Sequence, residues 1–240
     1  MLNRIQIIQF LLSINENIFF YPKLKKFYKK VIKVSNPVII DVGANNGQTI
    51  RFFLHLFSNA IIYSFEPNPR LYKNLLIEFG GNNNIHIFNK GISEFNGKLV
   101  LNETVTDETS TFENLNYDSQ YLKIKSKILG INAENMVTTK YDVEVITLDF
   151  FIQQMKLKKI DILKIDTEGH EMKCLLGLFK FNKHIIDYIQ IEHHNDDMYQ
   201  IAFNQNSFTD LLQKQDYKIV ENIKHGFGDF KDLIYERIIS

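Results

Sequence analysis

Four short segments hold the residues whose types and spacing could do chemistry. The first is Val38-Ile39-Ile40-Asp41-Val42-Gly43-Ala44-Asn45-Asn46-Gly47-Gln48-Thr49. An apolar run ends in an acid, a turn carrying Gly43 and Gly47 follows, and a helical pattern begins. Glycines let a backbone turn tightly and approach a ligand closely. Neither phosphate-binding pattern fits: Asn45 and Gln48 stand where G-x-G-x-x-G needs glycine, and Gly-Lys-Ser/Thr is missing. The second segment, Tyr63-Ser64-Phe65-Glu66-Pro67-Asn68, puts an acid at the end of the next apolar run. A carboxylate beside a glycine turn can accept both hydroxyl protons of a ribose, the way nucleosides bind at such sheet edges. Taken singly, Glu66 could as well be a strand-end acid facing water.

The third segment is Leu163-Lys164-Ile165-Asp166-Thr167-Glu168-Gly169-His170-Glu171. Strand periodicity sends Lys164 and Asp166 to one side, with Asp166 at the carboxyl end. An isolated buried charge is costly, so Lys164 is expected to pair with Asp166, Glu168 or Glu192; the alternative is a catalytic base with a depressed pKa. The fourth segment is Ile191-Glu192-His193-His194.

Together, Asp-Val-Gly-Ala-Asn-Asn-Gly, Phe-Glu-Pro, Lys-x-Asp-x-Glu-Gly-x-Glu and Ile-Glu resemble the FkbM family of S-adenosylmethionine-dependent methyltransferases, from about Pro37 to about Glu192. The resemblance implies a class I methyltransferase fold and methyl transfer to a hydroxyl of a sugar, glycan or related small metabolite. It implies that Gly43, Asn45 and Gly47 line the methionine end of the cofactor with Asp41 beneath them. Glu66 would bind the ribose, and Asn89 and Gly91 would lie near the adenine. Gly91 stands where the family often has a small residue such as Ala.

A hydroxyl is a weak nucleophile at neutral pH and needs a base or a metal ion. Lys164, Asp166, Glu168 and His193 are the catalytic candidates. By analogy with metal-dependent O-methyltransferases of this fold, Asp166, Glu192 and His193 could hold a divalent cation such as Mg²⁺. His193 could instead act as a base without metal. His170, at a helix start, is a weaker candidate for that role, the alternative being a side chain that only faces solvent. Cys174 reads as a packed core thiol. His55, His86, His184 and His225 share no metal-ligand spacing.

The elements that must position these groups alternate. Strands are expected at Val38 to Asp41, Ala60 to Phe65, Ile85 to Phe88, Ile160 to Ile165 and Ile185 to Ile191, the last two being apolar enough for burial on both faces. Helices are expected at Thr49 to Phe57, after the Asn68 cap with Pro69 at its first position, and along Met172, Leu175, Leu176 and Phe179. This predicts a Rossmann-like α/β sheet, mostly parallel, with seven strands. Residues 97–147 read as an insertion with a strand at Lys98 to Leu101, a helix around 117–129 and a strand at 143–147. Tyr217 to Val220 and Leu233 to Ile238 flank a Gly226–Gly228 turn, a closing antiparallel hairpin. Leu24, Phe27, Tyr28, Val31 and Ile32 make one helical stripe, with six lysines covering the rest. The reading is a helical extension at 1–36 and one domain at 37–240.

Composition sets the limits. Across 240 residues, Lys plus Arg 28 balance Asp plus Glu 28, which gives no broad electrostatic handle for nucleic acid. The Asn/Asp-Pro-Pro-Tyr/Phe segment of base methyltransferases is absent. One cysteine excludes an internal disulfide or a thiolate zinc cluster. The apolar stretch Ile5 to Leu12 is shorter than the roughly 20 residues of a spanning helix, so no transmembrane segment and a cytoplasmic location are expected. The alternative to an enzyme is a noncatalytic module that keeps the fold, against which stand the acids at 41, 66, 166 and 168.

Overall fold

The computed structural model describes residues 16–106, 110–181, 185–194, 196–200, 203, 205–225 and 230–238. The stretch Ile5 to Leu12 and the turn Gly226–Gly228 lie outside them. A π-helical turn, Glu16–Phe20, leads into α1 (Tyr21–Val31). Then come β1 (Val38–Val42), α2 (Gln48–Leu56), β2 (Ile61–Phe65), α3 (Pro69–Phe79), β3 (Ile85–Phe88), β4 (Gly91–Ile92) and β5 (Gly97–Thr104). The chain continues through α4 (Gln120–Leu129), β6 (Val137–Ile146), α5 (Leu148–Gln154), β7 (Ile160–Ile165), α6 (Glu171–Leu178), β8 (Ile186–His194), α7 (Gln205–Lys214), β9 (Tyr217–Lys224) and β10 (Phe230–Arg237).

The main sheet runs β3-β2-β1-β7-β8-β10-β9, with seven strands. Its first five strands pair in parallel, while β10 runs antiparallel to both β8 and β9. The strand order reverses between β1 and β7, and a crevice opens at their carboxyl ends, where ligands bind in such sheets. This is the Rossmann-like, mostly parallel seven-stranded sheet expected from the sequence, with its closing antiparallel hairpin.

Both faces of the sheet are covered. One apolar cluster packs Leu24, Tyr28, Ile50 and Phe53 against Ile39 and Ile162. The other packs Phe151, Met172, Leu175 and Leu212 against Ile40, Leu163 and Ile189. Helix α1 therefore belongs to the core on one side: Leu24 and Tyr28 are buried, while Lys23, Lys26, Lys29 and Lys30 face solvent. Asn68 caps α3 by accepting from the N–H groups of Arg70 and Leu71. Leu176, expected on the buried stripe of α6, is exposed instead, and Cys174 takes the inner position, with its thiol donating to the Ile92 carbonyl at 3.3 Å.

The segment between β3 and β7 forms a second sheet, β4-β6-β5, with its own helix α4. Its strands are longer than the sequence suggested, because the antiparallel pairing of β5 with β6 continues from Gly97 to Thr104. A third cluster joins Leu115, Leu122, Leu129 and Met136 to Met198 and Tyr199, beyond the end of β8. The insertion and the loop after β8 thus make one layer over the carboxyl edge. Among the described residues, no helix is long and apolar enough to cross a membrane.

Candidate active site

The turn after β1 has left-handed backbone at three places: Gly43 (φ +91°), Asn45 (φ +47°) and Gly47 (φ +79°). A Cβ on Gly43 would lie 1.8 Å from the Asp166 carbonyl oxygen, and one on Gly47 would lie 2.7 Å from the Phe79 ring. Glycine is required at both positions by space as well as by φ. The Gly43 and Ala44 N–H groups donate to the Phe65 carbonyl, tying the turn to the end of β2.

Glu66 sits just beyond β2. Its Oε2 accepts from the Asn45 N–H at 2.7 Å and its Oε1 from the Asn68 N–H at 2.8 Å. Each carboxylate oxygen has a second lone pair, so the acid can hold the turn and still accept hydroxyl protons. Asn89, at the end of β3, donates to the Glu66 and Pro67 carbonyls at 2.9 and 3.0 Å. Gly91 opens β4 in the second sheet, where a Cβ would meet the Phe112 ring at 2.5 Å.

Asp41 is wholly buried under the turn, with Ser64 Oγ donating to it at 3.2 Å. Burial pushes its carboxyl up to about 6, against the opposing charge of Lys164 in the paired strand β7. The Lys164 side chain is only 11% exposed and its Nζ meets Asp166 Oδ2 at 2.7 Å. Burial works against the ammonium, yet Asp166, Asp41 and Asp232 outweigh it and hold its pKa above the usual lysine value. The expected ion pair with Asp166 is present, and Lys164 stays protonated.

Glu168 adopts a left-handed backbone (φ +54°) without being glycine. Local contacts over-determine it: Thr111 Oγ1 donates to its carbonyl at 2.6 Å, and the Tyr199 hydroxyl donates to its Oε2 at 2.6 Å. Strain held this way clusters at functional sites. Here it ties the insertion and the post-β8 loop to the end of β7.

The expected trio of Asp166, Glu192 and His193 is not assembled. Neighbouring residues on a strand point to opposite faces, so Glu192 turns into the cavity while His193 packs against Phe208 of α7, ring centroids 5.9 Å apart. Carboxylate oxygens of Asp166, Glu168 and Glu192 do converge, within 4.8 Å of one another. Nor does His170 face solvent. It is buried, with Nδ1 2.6 Å from Glu113 and Nε2 3.0 Å from Ser93 Oγ. Those contacts mimic a hydrolase triad, but Ser93 is wholly buried, so they bolt the insertion to α6.

Sequence reasoning missed a cavity beside Lys164 and Asp166, which touches the helix after the glycine turn at Gln48 and Thr49 but is not lined by the turn itself, Glu66 or Asn89. The cavity, of about 60 Å³, is lined by Lys164, Asp166, Gln190, Glu192, His225 and Asp232 from the sheet and hairpin, and by Glu16, Phe20 and Tyr21 from the N-terminal segment. The Tyr28 hydroxyl donates to Gln190 Oε1 at 2.7 Å, and Gln190 Nε2 donates to Asp232. Asp232 in turn holds His225 Nε2 at 2.8 Å. Burial opposes a charge on His225, but Asp232, Glu16 and Glu192 push its imidazole up to about 10. One usable signal was the period of two in β8, which puts Gln190 and Glu192 on the same face as Lys164 and Asp166.

Comparison with known proteins agrees with this geometry. The sequence pattern of the methyltransferase FkbM domain matches residues 41–219. The chain is 24% identical over 205 residues to the 2-O-methyltransferase NoeI of Sinorhizobium fredii, covering 85% of this chain and 82% of that one. It is 27% identical to the methyltransferase sdnD of Sordaria araneosa, covering 66% of each. In fold it is similar to the FkbM methyltransferase of Methylobacillus flagellatus (TM-score 0.55, 15% identity), covering 88% of this chain and 46% of that one. It is also similar to the magnesium protoporphyrin IX methyltransferase of Synechocystis, solved with bound S-adenosylmethionine (TM-score 0.55, 9% identity), covering 99% of this chain and 86% of that one. With the pattern spanning the glycine turn, the second sheet and the acids of β7 and β8, this chain belongs to the FkbM methyltransferase family.

Proposed function

We propose that this protein is an S-adenosylmethionine-dependent O-methyltransferase acting on a hydroxyl of a small acceptor, a sugar or glycan. The observation that carries the reading is the joining of the Gly43–Gly47 turn to the Glu66 carboxylate through the Asn45 N–H. That pairing fits a nucleoside: bare backbone for close approach, and a fixed acid for the ribose hydroxyls. Gly43, Asn45 and Gly47 would hold the methionine end, with Glu66 at the ribose and Asn89 and Gly91 on the adenine side.

When bound, the sulfonium supplies an electrophilic methyl group. The chain's own part is electrostatic and positional. Asp166, Glu192 and Glu16 make the cavity a favourable place for positive charge. Lys164 fixes Asp166 at the carboxyl edge, and Asp166 with Glu168 forms the acidic rim that an acceptor hydroxyl would meet. The hydroxyl-acceptor reading draws support from NoeI, which is named as a 2-O-methyltransferase. The layer of insertion and post-β8 loop narrows the carboxyl edge, which suits an acceptor of limited size.

The experiment is incubation with isotopically methyl-labelled S-adenosylmethionine and a panel of mono- and oligosaccharides, read by mass spectrometry. Label in an ether-linked methyl group on a sugar supports the reading. Donor binding without transfer to any hydroxylated acceptor, while nitrogen acceptors take the label, contradicts it.

A further inference from the structure

We propose that Glu192, His225 and Asp232 form a binding site for a divalent first-row metal ion of the Mn²⁺ type. His225 Nε2 faces two carboxylates at once, Asp232 Oδ1 at 2.8 Å and Glu192 Oε1 at 3.8 Å. Donors bonded to one ion at about 2.1 Å lie no more than about 4.2 Å apart. The 2.8 Å separation fits neighbouring places on one coordination shell, and the 3.8 Å separation fits a wider angle on the same shell. The three donor atoms all lie within 4.8 Å of one another, so a shift of under about 1 Å completes the set.

Three further features single this cluster out. The other ring nitrogen, Nδ1, faces Glu16 Oε1 at 3.8 Å. A metal-ligating imidazole commonly gives its second N–H to a carboxylate, and Glu16 stands within about 1 Å of hydrogen-bond distance for that role. Phe20 stacks on the ring at 4.1 Å, fixing its plane before any ion arrives. All three donors line the cavity, whose volume of about 60 Å³ leaves room for water ligands at about 10–15 Å³ each.

Two carboxylates and one imidazole suit Mn²⁺ or Zn²⁺ better than Mg²⁺, which prefers oxygen throughout. Glu192 is shared with the Asp166–Glu168–Glu192 cluster, so the ion would lie at the acceptor's side of the cavity. There it would make a bound hydroxyl more acidic. That consequence rests on the methyltransferase reading; binding of the ion does not, and the test uses no methyl donor.

The test is Mn²⁺ titration of the full chain followed by electron paramagnetic resonance, with pulsed measurement of nitrogen coupling. The expected result is one Mn²⁺ per chain, bound below about 1 mM, with coupling from a directly bonded imidazole. His225→Gln should abolish that coupling, and Glu16→Gln should weaken binding roughly 10- to 100-fold. Thermal melts establish that each variant is folded. No saturable binding to the wild-type chain overturns the proposal whatever the variants do. So does bound Mn²⁺ without nitrogen coupling, or coupling that survives in folded His225→Gln.

Discussion

Gly43 and Asp166 stand so close that a Cβ on Gly43 would lie 1.8 Å from the Asp166 carbonyl oxygen. The first glycine of the ligand turn and the acid of the neighbouring strand thus fix one another's position. The Asp166 N–H also donates to the Val42 carbonyl at 3.0 Å, so β1 and β7 stay paired to the edge of the cavity. Gly43→Ala, with both a forbidden contact and a φ of +91° against it, should force the turn open. The expected outcome in a calorimetric titration is loss of S-adenosylmethionine binding, with the unfolding free energy reduced by about 2 kcal/mol or more.

Lys164 is the buried cation among Asp41, Asp166 and Asp232. Lys164→Met removes that charge from beside Asp41 and Asp166 and should destabilise the fold by roughly 3–5 kcal/mol in urea unfolding. The double variant Lys164→Met with Asp166→Asn should recover part of that loss. If Lys164 were a neutral base, Lys164→Met would cost activity with little change in stability.

Asp41 sets a pH dependence with a definite sign. Its folded pKa is raised from 3.8 to about 6 by burial, so the stability it lends is full below 3.8 and is lost as pH rises through about 6. The wild-type unfolding free energy, measured relative to Asp41→Asn, should fall by roughly 2–2.5 kcal/mol between pH 4 and pH 7 and then level off. A difference that rises over that window would reverse the assignment.

Tyr199 and Thr111 hold Glu168 in its left-handed conformation. Tyr199→Phe removes a hydrogen bond to a carboxylate and should cost about 1.5–3 kcal/mol. Amide exchange should report faster opening of the insertion, residues 97–147, than of β1 or β7. Uniform acceleration would mean that the insertion is not a separate layer.

Much of this was legible in the sequence. The runs that became β1 and β7 are apolar because both faces of the sheet are covered, and Asn68-Pro69 announces its helix by cap chemistry. Two helices were not legible. Leu148–Gln154 is short and relies on the Thr147 cap, and Gln205–Lys214 begins in a polar stretch where Phe208 and Leu212 give the buried face. In the site, Asp41, Glu66, Lys164 and Asp166 could be read because each lies at the end of a recognisable strand. His225 and Asp232 could not, since the antiparallel pairing of β8 with β10 brings them to Glu192 from more than 30 residues away. His193 was preferred to them by adjacency to Glu192, and adjacency on a strand means opposite faces.

The central claim is that the glycine turn and Glu66 together hold a nucleoside-bearing methyl donor. Calorimetric titration of S-adenosylmethionine into the wild-type chain and Glu66→Ala, in EDTA to exclude metal effects, tests it most directly. Saturable binding is expected in the wild type, weakened roughly 10- to 100-fold in a folded Glu66→Ala. Equal affinity in both chains, or no binding to the wild type, would contradict it.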